Sequence, residues 1–182
     1  MVFFTADHHF NHPKVIEFCQ RPFASIEEMT ERLIASWNEV IGRGDTVYHL
    51  GDFCLTWGKR DDALVDSLLS RLNGNKHLIY GNHDRDVVKE SPRWGWAGDY
   101  KYITVDKQKI VLFHYPIRSW RSNHHGSWHL HGHSHGSLTD VGGYSMDVGV
   151  DCTEYRPISF EEVRLYMAGR EPLYVDHHEP GI

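Results

Sequence analysis

Apolar residues along the chain alternate between short runs and helical stripes. Val2-Phe-Phe-Thr-Ala reads as a buried strand ending at Asp7. Ser25-Ile-Glu-Glu28 has the form of a capping box, and Met29, Leu33, Ile34, Trp37 and Val40 or Ile41 follow at helical spacing until Gly42 and Gly44 stop the helix. A second strand, Thr46–Leu50, runs into Gly51-Asp52. A second helix spans about residues 60–72, with Ala63, Leu64, Leu68, Leu69 and Leu72 on its apolar face, and closes at Asn73-Gly74. Lys76–Tyr80 is a third strand, entering Gly81-Asn82-His83-Asp84.

Strand, helix, strand, helix, strand predicts parallel neighbours in a sheet with helices packed on it. The second half is richer in strands, predicted at Tyr100–Val105, Lys109–His114, Ser127–His131 and Tyr144–Val150. A second capping box, Ser159-Phe-Glu-Glu162, opens a helix through Met167 that ends at Gly169, and 171–182 reads as an extended tail. Without repeat, linker or low-complexity segment, the expectation is one domain over 1–182.

Composition narrows the class of protein. Lys plus Arg number 19 against 25 Asp plus Glu, a formal charge of −6, which is not the footprint of a chain that coats nucleic acid. Cys19, Cys54 and Cys152 are odd in number and form no C-x-x-C pair, so a reducing cytoplasm is expected. There is no signal-peptide pattern and no run near the roughly 18 apolar residues a membrane span needs. Oligomeric state is left open. Fifteen histidines is an abnormal number, and histidine is the commonest metal ligand.

The polar residues that can bind metal share one kind of position, at or just after the carboxyl end of a predicted strand. They are Asp7 and His9, Asp52, Asn82 with His83 and Asp84, His114, and His133 with His135. Ligands in α/β sheets collect at that end, so five separate segments should meet in one crevice. Asp7, His9, Asp52, Asn82, His114, His133 and His135 are seven oxygen or nitrogen ligands. If Asp52 bridges, each of two ions receives four of them. Carboxylate and imidazole without thiolate suit Mn²⁺, Fe, Zn²⁺, Ni²⁺ or Co²⁺, with Mn²⁺ favoured. Two such ions, about 3.5–4 Å apart, would clamp the attacking and leaving oxygens of an in-line displacement.

The order D-x-H, G-D, G-N-H-D, H, G-H-x-H resembles that of the calcineurin-like metallophosphoesterases, over roughly residues 1 to 165. The opening Phe3–His12, followed by Arg21-Pro22-Phe23, resembles the small bacterial and phage phosphoesterases of that superfamily. The resemblance implies a four-layer α/β/β/α sandwich. It assigns Asp7, His9, Asp52 and His135 to a first metal and Asp52, Asn82, His114 and His133 to a second. It makes His83 the residue that approaches the leaving group, oriented by Asp84. Protein phosphatases of the superfamily carry G-D-x-x-D-R-G, whereas Gly51 here opens Gly-Asp-Phe-Cys-Leu-Thr-Trp-Gly, which argues against a phosphoprotein substrate.

The expected function is hydrolysis of a small phosphodiester, with a 2′,3′-cyclic nucleotide favoured, by a hydroxide bridging the two ions while His83 protonates the leaving oxygen. The alternatives are a nuclease of the same superfamily, disfavoured by the net charge and the lack of a DNA-capping domain, and a scaffold without chemistry, disfavoured because all seven ligands are present. The segment between His114 and His133 offers Arg118 and Arg121 to hold phosphate oxygens and Trp120 to stack on a base; a solvated loop with one aromatic anchor is the plainer reading. His8 and His12 read as loop residues, and His49 and His77 as core histidines. Trp94 and Trp96 read as packing, Cys54 as a buried thiol, and His177 and His178 as solvated.

Overall fold

A computed structural model describes residues 1–58, 61–139 and 142–173. Among the described residues nine strands form two sheets. The first sheet contains β1 (Val2–Thr5), β2 (Thr46–His49), β3 (Asn75–Ile79), β4 (Trp96–Gly98) and β9 (Ile158–Ser159), in the order β4-β3-β2-β1-β9. Its first four strands run parallel, and β9 is antiparallel to β1. The second sheet is β5 (Tyr100–Val105), β6 (Gln108–Phe113), β7 (Trp128–His131) and β8 (Ser145–Asp147), with an antiparallel β5/β6 pair and parallel β6, β7 and β8.

Alternation along the first sheet sorts its side chains between two cores. Phe3, Val47 and Leu78 point to one face, where α2 (Ile26–Val40) contributes Met29, Leu33, Ile34 and Trp37 and α3 (Asp62–Arg71) contributes Val65, Leu68 and Leu69. Phe4 and Ile79 point to the other face, against Ile110, Leu112 and Leu130 of the second sheet. Phe160, Val163 and Met167 of α5 (Phe160–Ala168) complete that inner core. Trp37 is fully buried and its indole N–H donates to the Asn73 carbonyl at 3.0 Å, so Trp37→Ala should cost about 3–5 kcal/mol. The expected mixed α/β fold with helices on a two-sheet sandwich is present. On the outer face of the second sheet, Trp120 from the segment after β6 packs on His129.

The helix starts differ in detail. At α5 the capping box is complete: the Ser159 hydroxyl accepts from the Glu162 N–H while Glu162 accepts from the Ser159 N–H. At α2 Ser25 accepts from the Glu28 N–H, but the Glu28 carboxylate reaches the Ala24 N–H, one residue further back. Two short α-helices, α1 (Lys14–Phe18) and α4 (Asp86–Lys89), and two short strands, β4 and β9, were not expected. Runs of two to five residues carry too little periodicity to read. The strand expected over Tyr144–Val150 shortens to β8, because Gly149 leaves it to bridge Ala6 and Val150 opens a 3-10 turn. Arg60, His177 and His178, with most of the expected tail, lie outside the described residues. Among the described residues no helix is long and apolar enough to cross a membrane.

Candidate metal centre

Strands β1, β2, β3, β6 and β7 all finish at the same end of the sandwich, and the seven expected ligands follow them. Five of the seven, Asp7, His9, Asp52, His133 and His135, have φ between 47° and 68°. That left-handed backbone costs little for Asp and His compared with branched residues, but it is uncommon, and it clusters at functional sites. It turns the chain sharply so that successive polar side chains aim inward. Space for the turns comes from glycine: a Cβ on Gly81 would overlap Asp52, and one on Gly132 would lie 2.5 Å from Asp7 Oδ2.

Two clusters of ligand atoms result, Asp7 with His9 and His135, and Asp52 with His114 and His133, each within 4.8 Å of one another. Asp52 Oδ2 lies 3.5 Å from His9 Nε2 and 3.5 Å from His114 Nε2, so it stands between the two clusters. Its other oxygen accepts from the His83 N–H at 2.8 Å. Asn82 belongs with the second cluster, its Oδ1 2.9 Å from His114 Nε2 and 3.0 Å from His133 Nδ1. His114 donates its Nδ1–H to the Leu50 carbonyl at 2.7 Å, which leaves Nε2 bare and facing the cluster.

The electrostatics call for cations. Asp7 is buried, its Oδ1 has no partner, and burial together with the Asp52 and Asp147 charges raises its carboxyl well above the usual range. His9 Nε2 is likewise buried and unpartnered, and burial followed by the neighbouring His135 and Arg21 pushes its imidazole far down. Orphaned buried polar atoms of this kind are rare and need explaining. A carboxylate oxygen and an imidazole lone pair facing the same gap fit a divalent ion of the nitrogen- and oxygen-loving kind. Asp7, His9 and His135 would hold one such ion and Asn82, His114 and His133 another, with Asp52 reaching both.

The remaining site residues are placed as follows. His83 is exposed, its ring 5.2 Å from that of His9, and it lines a pocket of about 620 Å³ beside the clusters. Asp84 does not orient His83. Its buried carboxylate accepts three backbone N–H groups, from Asp52, Phe53 and Gly81 at 2.8–2.9 Å, and so clamps the β2 and β3 loops together. Burial raises this carboxyl to about 7, although those N–H bonds pull it back. Arg118 and Arg121 are exposed, and the Arg121 guanidinium lies over the Tyr102 ring at 4.4 Å. Trp120 is 7% exposed and its indole donates to the Ser127 carbonyl, so no ring face is open to a base. None of these three residues lines the pocket.

The pocket opens instead on the α1 side, between His9, His12, His83, His133 and His135 and a wall formed by Val15, Phe18, Cys19 and Gln20. His12, expected in a loop, sits here with its ring 5.3 Å from that of His9. His8, also expected in a loop, is fully buried and shares a 2.9 Å hydrogen bond with His49, packed by Phe10 and Trp37. His49 is a core residue as expected, whereas His77 is half-buried against Tyr48. Trp94 packs as expected, its indole donating to Val88; Trp96 is half-buried beneath Lys101; and Cys54 is a buried thiol pushed up to about 12, chiefly by burial.

Two residues of the site were given no role by the sequence. Asp151 accepts from His135 Nδ1 at 2.6 Å and is held by Arg21 through Nε and Nη2. Burial alone would raise this carboxyl, but the His135 and Arg21 hydrogen bonds hold it below the usual range. Arg21 also donates to the Asp7 and His8 carbonyls. A lone Asp 16 residues past His135 carries no motif, and Arg21 stood out only as part of the Arg-Pro-Phe resemblance.

The chain has relatives from an archaeon, a phage and a bacterium. The chain is 35% identical over 166 residues to Uncharacterized protein MJ1445 of Methanocaldococcus jannaschii, covering 88% of this chain and 87% of that one. It is 30% identical over 194 residues to Gene 66 protein of Mycobacterium phage D29, covering 90% and 94%. The crystal structure of protein AQ665 of unknown function from Aquifex aeolicus superposes with a TM-score of 0.71 at 25% identity, over 91% of this chain and 98% of that one. The calcineurin-like phosphoesterase model matches residues 1–182, and the chain belongs to that family.

Proposed function

We propose that the chain hydrolyses small phosphodiesters, a 2′,3′-cyclic nucleotide being the favoured substrate, at a centre of two divalent ions, Mn²⁺ favoured. The observation that carries the dinuclear reading is the position of Asp52 Oδ2, equally far from a ligand of each cluster. Bound there, two divalent ions would polarise the phosphoryl oxygens and lower the pKa of a water between them. The side chains supply the rest. Asp52 keeps the clusters in register, and the His83 N–H holds Asp52 in turn. The exposed His83 ring stands at the pocket edge, free of any ligand role, and hands a proton to the departing oxygen.

Substrate size follows from the pocket. About 620 Å³ accepts a nucleotide, and the site lies open beside it. Phe18 is 72% exposed at its rim and Gln20 is exposed next to it, a flat apolar face beside an amide that a nucleobase can use. The formal charge of −6 weighs against a long polyanion. The test is reconstitution of metal-free protein with Mn²⁺, Fe²⁺, Zn²⁺, Ni²⁺ and Co²⁺, each assayed on 2′,3′- and 3′,5′-cyclic nucleotides, a p-nitrophenyl diester, a phosphomonoester and a labelled oligonucleotide. The 2′,3′-cyclic nucleotide should give the highest kcat/KM. A tenfold preference for the monoester or the oligonucleotide would replace this reading with a phosphomonoesterase or a nuclease.

A further inference from the structure

We propose that Asp151, gripped by Arg21, is a positioning residue for the cation site of Asp7, His9 and His135: it fixes the ring of His135 in its Nδ1–H form and so presents Nε2 to the ion. The proposal rests on the reading of that cluster as a cation site.

A neutral imidazole has one N–H, and only the other nitrogen has a lone pair to give a metal. An ionised carboxylate can only accept. The 2.6 Å contact between His135 Nδ1 and Asp151 Oδ2 therefore requires the hydrogen on Nδ1. Asp151 cannot swing away, because Arg21 Nε donates to Oδ1 at 2.8 Å and Arg21 Nη2 to Oδ2 at 2.7 Å. This fork is buried, with the Arg21 side chain 0% and that of Asp151 8% exposed. The same guanidinium donates to the Asp7 carbonyl at 2.7 Å and the His8 carbonyl at 3.0 Å. One cation thus holds the backbone of the first ligand loop and, through Asp151, the ring of the last ligand. A buried ion pair adds little to stability on average, so its worth lies in specifying one geometry.

Cys19, His135 and Asp151 also come within 4.8 Å of one another. An ion among them would compete with the guanidinium that already occupies both Asp151 oxygens, so a ligand role for Asp151 is disfavoured.

Histidine ¹⁵N spectroscopy of the metal-free wild-type protein tests the tautomer without any variant: His135 should carry its hydrogen on Nδ1. In Asp151→Ala the hydrogen should move to Nε2, and calorimetric titration with Mn²⁺ should show one site weakened about 10–100-fold and the other unchanged. Asp151→Asn keeps an acceptor and should restore the Nδ1–H form and most of the affinity. His135 protonated on Nε2 in the wild type overturns the proposal. So does wild-type affinity at both sites in a folded Asp151→Ala protein, and so does an equal loss at both, which would make Asp151 a general brace. Failure of the wild type to bind any divalent ion would instead sink the cation-site reading, and the tautomer measurement would still judge Asp151.

Discussion

Around Asp7, His9 and His135 most bracing groups are charged side chains, Asp151 on the His135 ring and Arg21 on Asp151 and on the Asp7 and His8 carbonyls, with one main-chain donor, the His133 N–H, on Asp7 Oδ2. Around Asn82, His114 and His133 they are mostly main chain. The Leu50 carbonyl takes the His114 N–H, and backbone N–H groups of Asp52, Phe53 and Gly81 converge on Asp84. Both arrangements leave a bare imidazole nitrogen facing a gap. They differ in what can break them. A carbonyl at the end of β2 is present whatever the side chain, so the His114 bond survives substitution. Side-chain braces, Asp151 in the first group and the Asp84 carboxylate in the second, are each lost with one substitution.

Asp52 joins the halves, so its loss should have the largest effect. Asp52→Asn should release bound divalent ions from both clusters and reduce hydrolysis to background, read by metal analysis and assay together. Two retained ions with near-normal turnover would break the idea of a shared carboxylate.

His83 comes next, because it touches neither cluster as a ligand. His83→Ala should slow hydrolysis of a nucleotide diester by about 10²–10⁴-fold with metal content intact, and that of a p-nitrophenyl diester far less, since p-nitrophenolate leaves without a proton. Equal losses on the two substrates would assign His83 to phosphate binding.

Asp84 tests the charged side chain that gathers the main-chain donors of the second group. Asp84→Ala would strand three buried N–H donors, each costing about 1–3 kcal/mol, so the metal-free protein should lose roughly 3 kcal/mol or more in denaturant unfolding. A loss under about 1 kcal/mol would mean that water replaces the carboxylate.

Phe18 should give the smallest effect. Phe18→Ala should raise KM for the cyclic nucleotide by about tenfold, the value of one aromatic contact, and leave that for a small alkyl diester unchanged. A parallel rise for both substrates would remove the base from this wall of the pocket.

Strand ends were readable because they combine two local signals, a short apolar run and the Gly or Asp that stops it. Thr46–Leu50 followed by Gly51-Asp52 shows both, and the candidate ligand is that Asp. Asp84 looked like an orienting acid because it adjoins His83, and sequence adjacency says nothing about which way a carboxylate turns. His8 is a loop residue as expected, but a buried one: between Asp7 and His9, both at positive φ, it reaches inward to His49. Trp120 seemed available to a base because its segment must pass near the site, but passing near does not decide which side chain packs beneath.

By itself the sequence determined the family, the strand-end positions of seven candidate ligands and their residue types, because these rest on local patterns of two to five residues in a fixed order. Only the tertiary structure decided that Arg21 and Asp151, 130 residues apart, meet as a buried pair, that the pocket opens toward α1, and which nitrogen of His114 and His135 faces inward. Contacts between remote segments depend on how two sheets and their loops pack, and a hydrogen-bond partner chosen by packing leaves no period or motif along the chain.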